Sequence, residues 1–189
     1  VYAAVLLRPQ EAFFTDPAWP DAEGSWQAEL APHYATAERM LGLATNPYPG
    51  LQDEWLRETA RRMGAEPSFG PVPQGIFFGA PGRAHADPFF AGQGPARKGC
   101  ERCGRCITGC AVGAKNSLDK NYLHLAEKAG VAVRVECQVT HLEKLPGEGY
   151  RLHLRHPWQR SVSLPPIRAR RVVLSAGVLG TLDILFASR

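Results

Sequence analysis

The chain has 189 residues, of which 44% are hydrophobic and 21% charged, and its 22 basic and 18 acidic side chains leave a net charge of +4. That much apolar material supports one sizeable core and excludes a disordered polymer, while 19 glycines and 16 prolines without a triplet period exclude a collagen-like chain and point to a loop-rich globular fold. No stretch approaches the roughly 18 apolar residues of a membrane-spanning helix, the opening VYAAVLLRPQ is no cleavable leader, and no basic stripe interleaves with aromatics, so neither a transmembrane segment nor a nucleic-acid partner is expected.

Residues 1–7 suit a short buried strand that Arg8-Pro9 closes, because proline lacks an amide for the ladder. After the loop TDPAWPDAEGS, Pro32 can serve as a first helical residue, and Tyr34, Ala37 and Leu41 then recur on one face before Gly42. A second helix follows NPYPG. It packs through Trp55, Leu56, Thr59 and Met63, turns Arg57, Arg61 and Arg62 to water, and stops at Gly64. Residues 67–99 offer only brief apolar pieces between Gly and Pro, so they read as an ordered loop of the kind that forms lids or binding segments. The Gly92-Gln93-Gly94 run within it is no dinucleotide fingerprint: Arg97 stands where the third glycine belongs and no strand precedes it.

Beyond residue 110, Asn116 or Ser117 can cap a helix that lines up Leu118, Tyr122, Leu125 and Ala129 and ends at Gly130. Val131, Val133 and Val135 alternate as in a strand, and three further strands at 139–145, 150–154 and 161–164 suggest an antiparallel meander. A last strand at 172–175 then turns through Ser175, Ala176 and Gly177 into a helix with Leu182, Leu185 and Phe186 on its packed side. Small residues at such a turn let a cofactor approach the backbone, and the amides that start the helix favour an anionic phosphate. The chain opens inside an apolar run and stops inside a helical pattern, so it reads as an internal piece of a longer protein.

Four of the five cysteines, Cys100, Cys103, Cys106 and Cys110, fall within one short run, whereas secreted disulfide frameworks spread their thiols between distant elements. A reducing, cytoplasmic compartment is therefore expected. The pattern C-x2-C-x2-C-x3-C has the spacing with which small ferredoxins hold an iron-sulfur cluster. It lacks the long separation between cysteine pairs of a structural zinc site, and Ala111 stands where the ferredoxin run carries proline. An iron-sulfur cluster, zinc and a metal-free structural knot are the three readings of these thiols. Cys137 reads as a buried strand residue, and the six histidines show no ligand spacing.

The stretch DPFFAGQGPARKGCERCGRCITGCAVGAKNSLDKNYLHLAEKAGVAV, followed by RARRVVLSAGVLGTLDILF, resembles the glucose-methanol-choline (GMC) oxidoreductases, in particular their cholesterol-oxidase-like bacterial branch. The resemblance implies an α/β fold. Part of an FAD-binding Rossmann-like domain with an antiparallel meander would occupy residues 1–12 and 100–189, and a loop-rich substrate or lid segment residues 13–99. It also implies an enzyme that binds FAD and oxidises an alcohol, sterol-like or otherwise, to a carbonyl compound, passing electrons to oxygen or to an electron carrier. On this likeness Tyr2 and Ala3 lie near the flavin, Val139 offers its backbone to the adenine, and Ala176 with Gly177 lines the cofactor. The family's catalytic histidine falls beyond Arg189, so no catalytic residue is expected here. A different class of function remains open beside it: an iron-sulfur electron-transfer or metal-binding module built on Cys100, Cys103, Cys106 and Cys110. A structural or partner-binding domain is a third.

Overall fold

The computed structural model describes residues 4–19 and 24–188. The chain divides into two units, Val1–Val131 and Ala132–Arg189.

In the first unit the frequent Gly and Pro keep every strand to two residues. Its elements are α1 (Glu11–Phe14), α2 (Trp26–Met40), β1 (Ala44–Thr45), α3 (Leu51–Arg62), β2 (Pro73–Gln74), β3 (Ala84–His85), β4 (Arg97–Lys98) and α4 (Tyr122–Lys128). β1 pairs antiparallel with β2, and β3 with β4. Val1 to Ala3 of the expected opening strand lie outside the described residues; among the described ones there is one antiparallel bridge from Val5 to Gln74, with bonds from the Leu6 amide to the Pro73 carbonyl (3.0 Å) and from the Gly75 amide to the Ala4 carbonyl (2.8 Å). Its partner is flanked by Pro71 and contains Pro73, which have no amides to extend the ladder. Ala4 is nonetheless buried and forms the core with Ile76 and Ala114, against which Phe78, Cys100, Cys106, Cys110 and Val112 pack.

The helices begin and end differently from expectation in two places. α2 starts at Trp26 behind an extended Ser25, so Pro32 lies inside the helix and not at its first position. Its missing amide leaves one i to i−4 bond unmade. Edge-to-face packing of Phe14 on Tyr34 (6.3 Å) and the contact of Trp19 with Trp26 (5.5 Å) hold aromatic side chains on either side of that defect. α3 follows Gly50, whose amide donates to the Asp53 carboxylate (2.7 Å), and stops before Gly64 at φ +69 as its sequence implies. Yet Trp55, Leu56 and Met63 are exposed, so its apolar face is not a packed one. After the cysteines, Ser117 precedes a single 3-10 turn, Leu118–Lys120, and Asn121 caps α4 by accepting from the Tyr122 amide. Asn116 is no cap: it is fully buried, donates to the Leu41 carbonyl (2.7 Å) and, through its amide, to Gly75 (2.8 Å). Distant carbonyls have claimed the side chain that local sequence assigns to a helix start.

Residues 131–135 form no strand. Val131, Val133 and Val135 stand exposed, because alternation makes a strand possible but only a neighbouring strand supplies its hydrogen bonds, and none lies alongside.

The second unit holds the expected meander: β5 (Gln138–Lys144), β6 (Tyr150–Arg155) and β7 (Ser163–Ala169), antiparallel in that order. Cross-strand pairs include Leu142 with Leu152, and His141 with His153, whose rings stack at 4.1 Å. β7 reaches further than residues 161–164 and contains Pro165 and Pro166. They fit because β7 is an edge strand and the register opposite them is irregular between Leu152 and Leu154. The expected strand at 172–175 is absent, with Val173 88% exposed and no strand beside it. α5 (Gly177–Ala187) then packs on β5, and the Leu142 amide donates to Ser188 Oγ (2.8 Å). Leu182, Leu185 and Phe186 are exposed, and the buried side of α5 is that of Ile184. α5 is mostly apolar, with its apolar residues spread around the helix, so its pattern marks a face only weakly. Among the described residues every pair of strands is antiparallel, so the fold is a mixed one of helices and small antiparallel sheets.

Candidate functional site

Two concave sites carry the residues singled out by sequence, one in each unit.

In the second unit, β5, β6, the extended segment before α5 and α5 itself enclose a cleft of about 800 Å³. Val139 and Ala176 both line it. Gly177 is the first residue of α5, at φ +73 where a Cβ would be strained, and stands beside the cleft without lining it. Tyr2 and Ala3 lie outside the described residues. The walls are apolar at Leu142, Leu152, Val172 and Ile184, and polar at Thr140, Arg155, Ser175 and Asp183. Thr140, Arg155 and Asp183 were not foreseen. Gly180, Asp183, Ile184 and Ala187 recur at helical spacing, which is the signal that marks the inward side of α5. Cys137 also reaches the cleft, half-buried, where a fully buried strand residue was expected.

Two features give the cleft its chemistry. No side chain caps α5, so the amides of its first turn stay available to an anion. β5 is an edge strand, and its register shifts between Val139 and His141, so backbone groups there are not all used by β6. Arg155 Nε donates to Gln138 Oε1 (3.0 Å), which fixes a cation at the rim.

In the first unit a pocket of about 240 Å³ is lined by all four clustered cysteines. They are free thiols, so the paired-disulfide form of the structural knot is not present. The loop is held from behind by Arg97, 2% exposed, whose guanidinium donates to the carbonyls of Gly113 (2.9 Å), Ala114 (3.1 Å) and Lys115 (2.9 Å) and to Asn116 Oδ1. It is held in front by Phe77, whose amide donates to Ala114 (2.9 Å) and whose carbonyl accepts from Cys100 (3.0 Å). Burial pushes the Cys106 thiol up, and the neighbouring Cys100, Cys110 and Cys103 add to this. Burial alone would also raise Cys110, but the amides of Lys115, Ala114, Gly113 and Val112 outweigh it and hold that thiol below its ordinary value. Among the described residues no three His, Cys, Asp or Glu side chains are placed to hold a metal ion, a finding that bears on the zinc and iron-sulfur readings alike. No described helix is long and apolar enough to cross a membrane.

A family model described as GMC oxidoreductase matches residues 95–188. A cholesterol oxidase of Mycobacterium tuberculosis is 41% identical over 195 residues, covering 100% of this chain and 33% of that protein. A cholesterol oxidase of Acinetobacter baumannii is 37% identical over 204 residues, covering 98% of this chain and 35% of that protein. The chain thus spans about a third of the length of the curated relatives it matches. No solved structure matches it significantly.

Proposed function

The chain belongs to the GMC oxidoreductase family, and on that premise we propose that it serves a flavoprotein that oxidises an alcohol CH–OH, sterol-like in class, to the carbonyl, with its α5 cleft receiving the adenine and phosphate part of FAD. The observation that carries this reading is the meeting of Val139 and Ala176 in one cleft beside the uncapped start of α5. A volume of about 800 Å³ falls in the range of cofactor sites, which run roughly 300–1,000 Å³.

The residues present fit that group. Backbone groups at the outer edge of β5 near Val139 suit the hydrogen-bonding edge of an adenine, and Leu142, Leu152 and Ile184 supply the apolar faces that enclose its ring. The first-turn amides of α5 suit the phosphates, where the helix dipole favours negative charge. Ala176 and Gly177 keep Cβ bulk away from that approach. When bound, the flavin supplies the acceptor for the hydride that leaves the alcohol carbon, while a base removes the hydroxyl proton. No residue of this chain is assigned as that base. Residues 13–99 are assigned to the part that covers the substrate, and a soluble cytoplasmic setting suits the free thiols.

The test is Ala176→Trp in the full-length protein. Ala176 is exposed, so an indole there fills the cleft without entering the core. Flavin per chain should fall at least about tenfold, a loss of roughly 1.4 kcal/mol or more of binding, while far-UV circular dichroism is unchanged. Full flavin loading in that variant would refute the placement. Primary, secondary and sterol alcohols, assayed with oxygen and with artificial electron carriers, then identify the substrate class and the acceptor.

A further inference from the structure

The four-thiol pocket lies in the first unit and plays no part in the flavin reading. Its cysteines come from a single loop, residues 100–110, yet all four face one cavity, whose other walls include the apolar side chains of Ile76, Phe78 and Val112. A loop that merely packed thiols as small hydrophobes would fill its own interior. This one leaves a cavity of about 240 Å³ among them.

Three further features point to the occupant. The backbone turns its amides onto sulfur: the Arg102 amide donates to Cys100 Sγ (3.3 Å) and the Lys115 amide to Cys110 Sγ (3.4 Å). Left-handed residues at Arg102 (φ +59), Gly104 (φ +70) and Gly109 (φ +128) make such inward-facing amides possible, the arrangement by which backbone concavities receive phosphates and iron-sulfur groups. Arg102 is an uncommon place for a side-chain-bearing residue to adopt that conformation, and its guanidinium stacks at 4.6 Å over Tyr48, itself a wall of the pocket. Charge is matched too: Arg102, Arg105 and Lys115 line the pocket against a single acid, Glu101. Lys115 is 9% exposed and donates to the Cys106 carbonyl (2.8 Å), which brings a buried cation to a loop of thiols.

From these observations we propose that Cys100, Cys103, Cys106 and Cys110 bind an iron-sulfur cluster of the [4Fe–4S] class, the four thiols lining one pocket whose backbone amides already point at sulfur. A mononuclear site needs its sulfurs to meet at a point, whereas in a cluster each thiolate takes a different iron. In two-cluster ferredoxins the fourth cysteine of such a run serves the other cluster. Cys110 lines the same pocket as the other three, so all four thiols are placed around one site. Thiolate ligation displaces four protons and leaves the redox state of the sulfurs unchanged.

The experiment uses the full-length protein purified without oxygen, with iron, acid-labile sulfide, zinc and flavin measured on one sample. Roughly four irons and four sulfides per chain are expected, with a low-temperature paramagnetic signal after dithionite reduction. Cys103→Ser alters the exposed thiol of the set and disturbs packing least. It should lower iron at least about tenfold with an unchanged far-UV spectrum. Less than one iron per chain in the unaltered protein after anaerobic incubation with ferrous iron and sulfide overturns the proposal, as does stoichiometric zinc, or disulfides joining these cysteines under reducing purification. Should Cys103→Ser fail to fold, the metal content of the unaltered protein decides. Flavin without iron overturns the cluster alone, and iron without flavin overturns the flavin reading alone.

Discussion

Replacing Arg97 by Met keeps a stem of similar length and removes the guanidinium. Arg97 is 2% exposed and donates to three carbonyls and to Asn116 Oδ1. Of the four acceptors that lose this charged donor, Ala114 keeps its bond from the Phe77 amide (2.9 Å), which leaves three bonds to count. At about 1.5 kcal/mol each, the low end for bonds to charged groups, the loss is about 4.5 kcal/mol, with the weaker stacking over Phe89 (5.5 Å) set aside. Packing of the stem is retained, so the cost falls on the local opening of the thiol loop. Amide hydrogen exchange reads it directly, because the Phe77, Cys100 and Asn116 amides all bond across this junction. An opening easier by about 4.5 kcal/mol speeds their exchange about 2 × 10³-fold. Arg97→Lys, a point charge that replaces a fork of donors, should fall between, at about 10- to 30-fold. A change of less than about threefold in Arg97→Met, or an equal change in β5 and β6, would refute the assignment of Arg97 as the local clamp.

Three further outcomes are expected. Gly99→Ala places a Cβ against the carbonyls of Gly79 and Ala80 and should cost about 1–3 kcal/mol in urea midpoint, whereas Gly104→Ala, with open space around its Cβ, should cost only the left-handed backbone penalty of about 1 kcal/mol. The Glu58 carboxyl is held at about 2 by hydrogen bonds from Arg61 and Arg62, so its support of α3 is present above the ordinary carboxylate range and is lost as pH falls toward 2. Glu58→Gln, or salt at about 1 M, should flatten that part of the acid dependence of exchange in α3, and an unchanged profile counts against the ion pairs. Burial pushes the Asp87 carboxyl up, but bonds from the Phe89, Gly94, Phe90 and Gly92 amides outweigh it and hold it low. Asp87→Ala should therefore loosen residues 87–94, raising limited proteolysis there at least about tenfold, while Asp87→Asn, which keeps one acceptor oxygen, should show a smaller rise.

What local sequence determined is visible where one or two residues settle the conformation. Gly64 and Gly130 end their helices because only a residue without Cβ sits easily at positive φ, and alternating apolar residues made the meander. The thiol spacing marked the loop that gathers around one pocket, and the small residues at Ala176 and Gly177 marked the start of α5. Tertiary structure decided the rest. Val131 to Val135 and Val172 to Ser175 have strand-like composition but no neighbour to complete a ladder, and a strand is a property of a pair. Asn116, suited to a cap, is buried against the Leu41 carbonyl, 75 residues away in sequence. Arg97 clamps Gly113 to Asn116 through bonds between positions too far apart for any local pattern to record. The inward face of α5, with Gly180, Asp183 and Ile184, was likewise set by β5, since a helix whose apolar residues are spread around it leaves the choice of face to whatever packs against it.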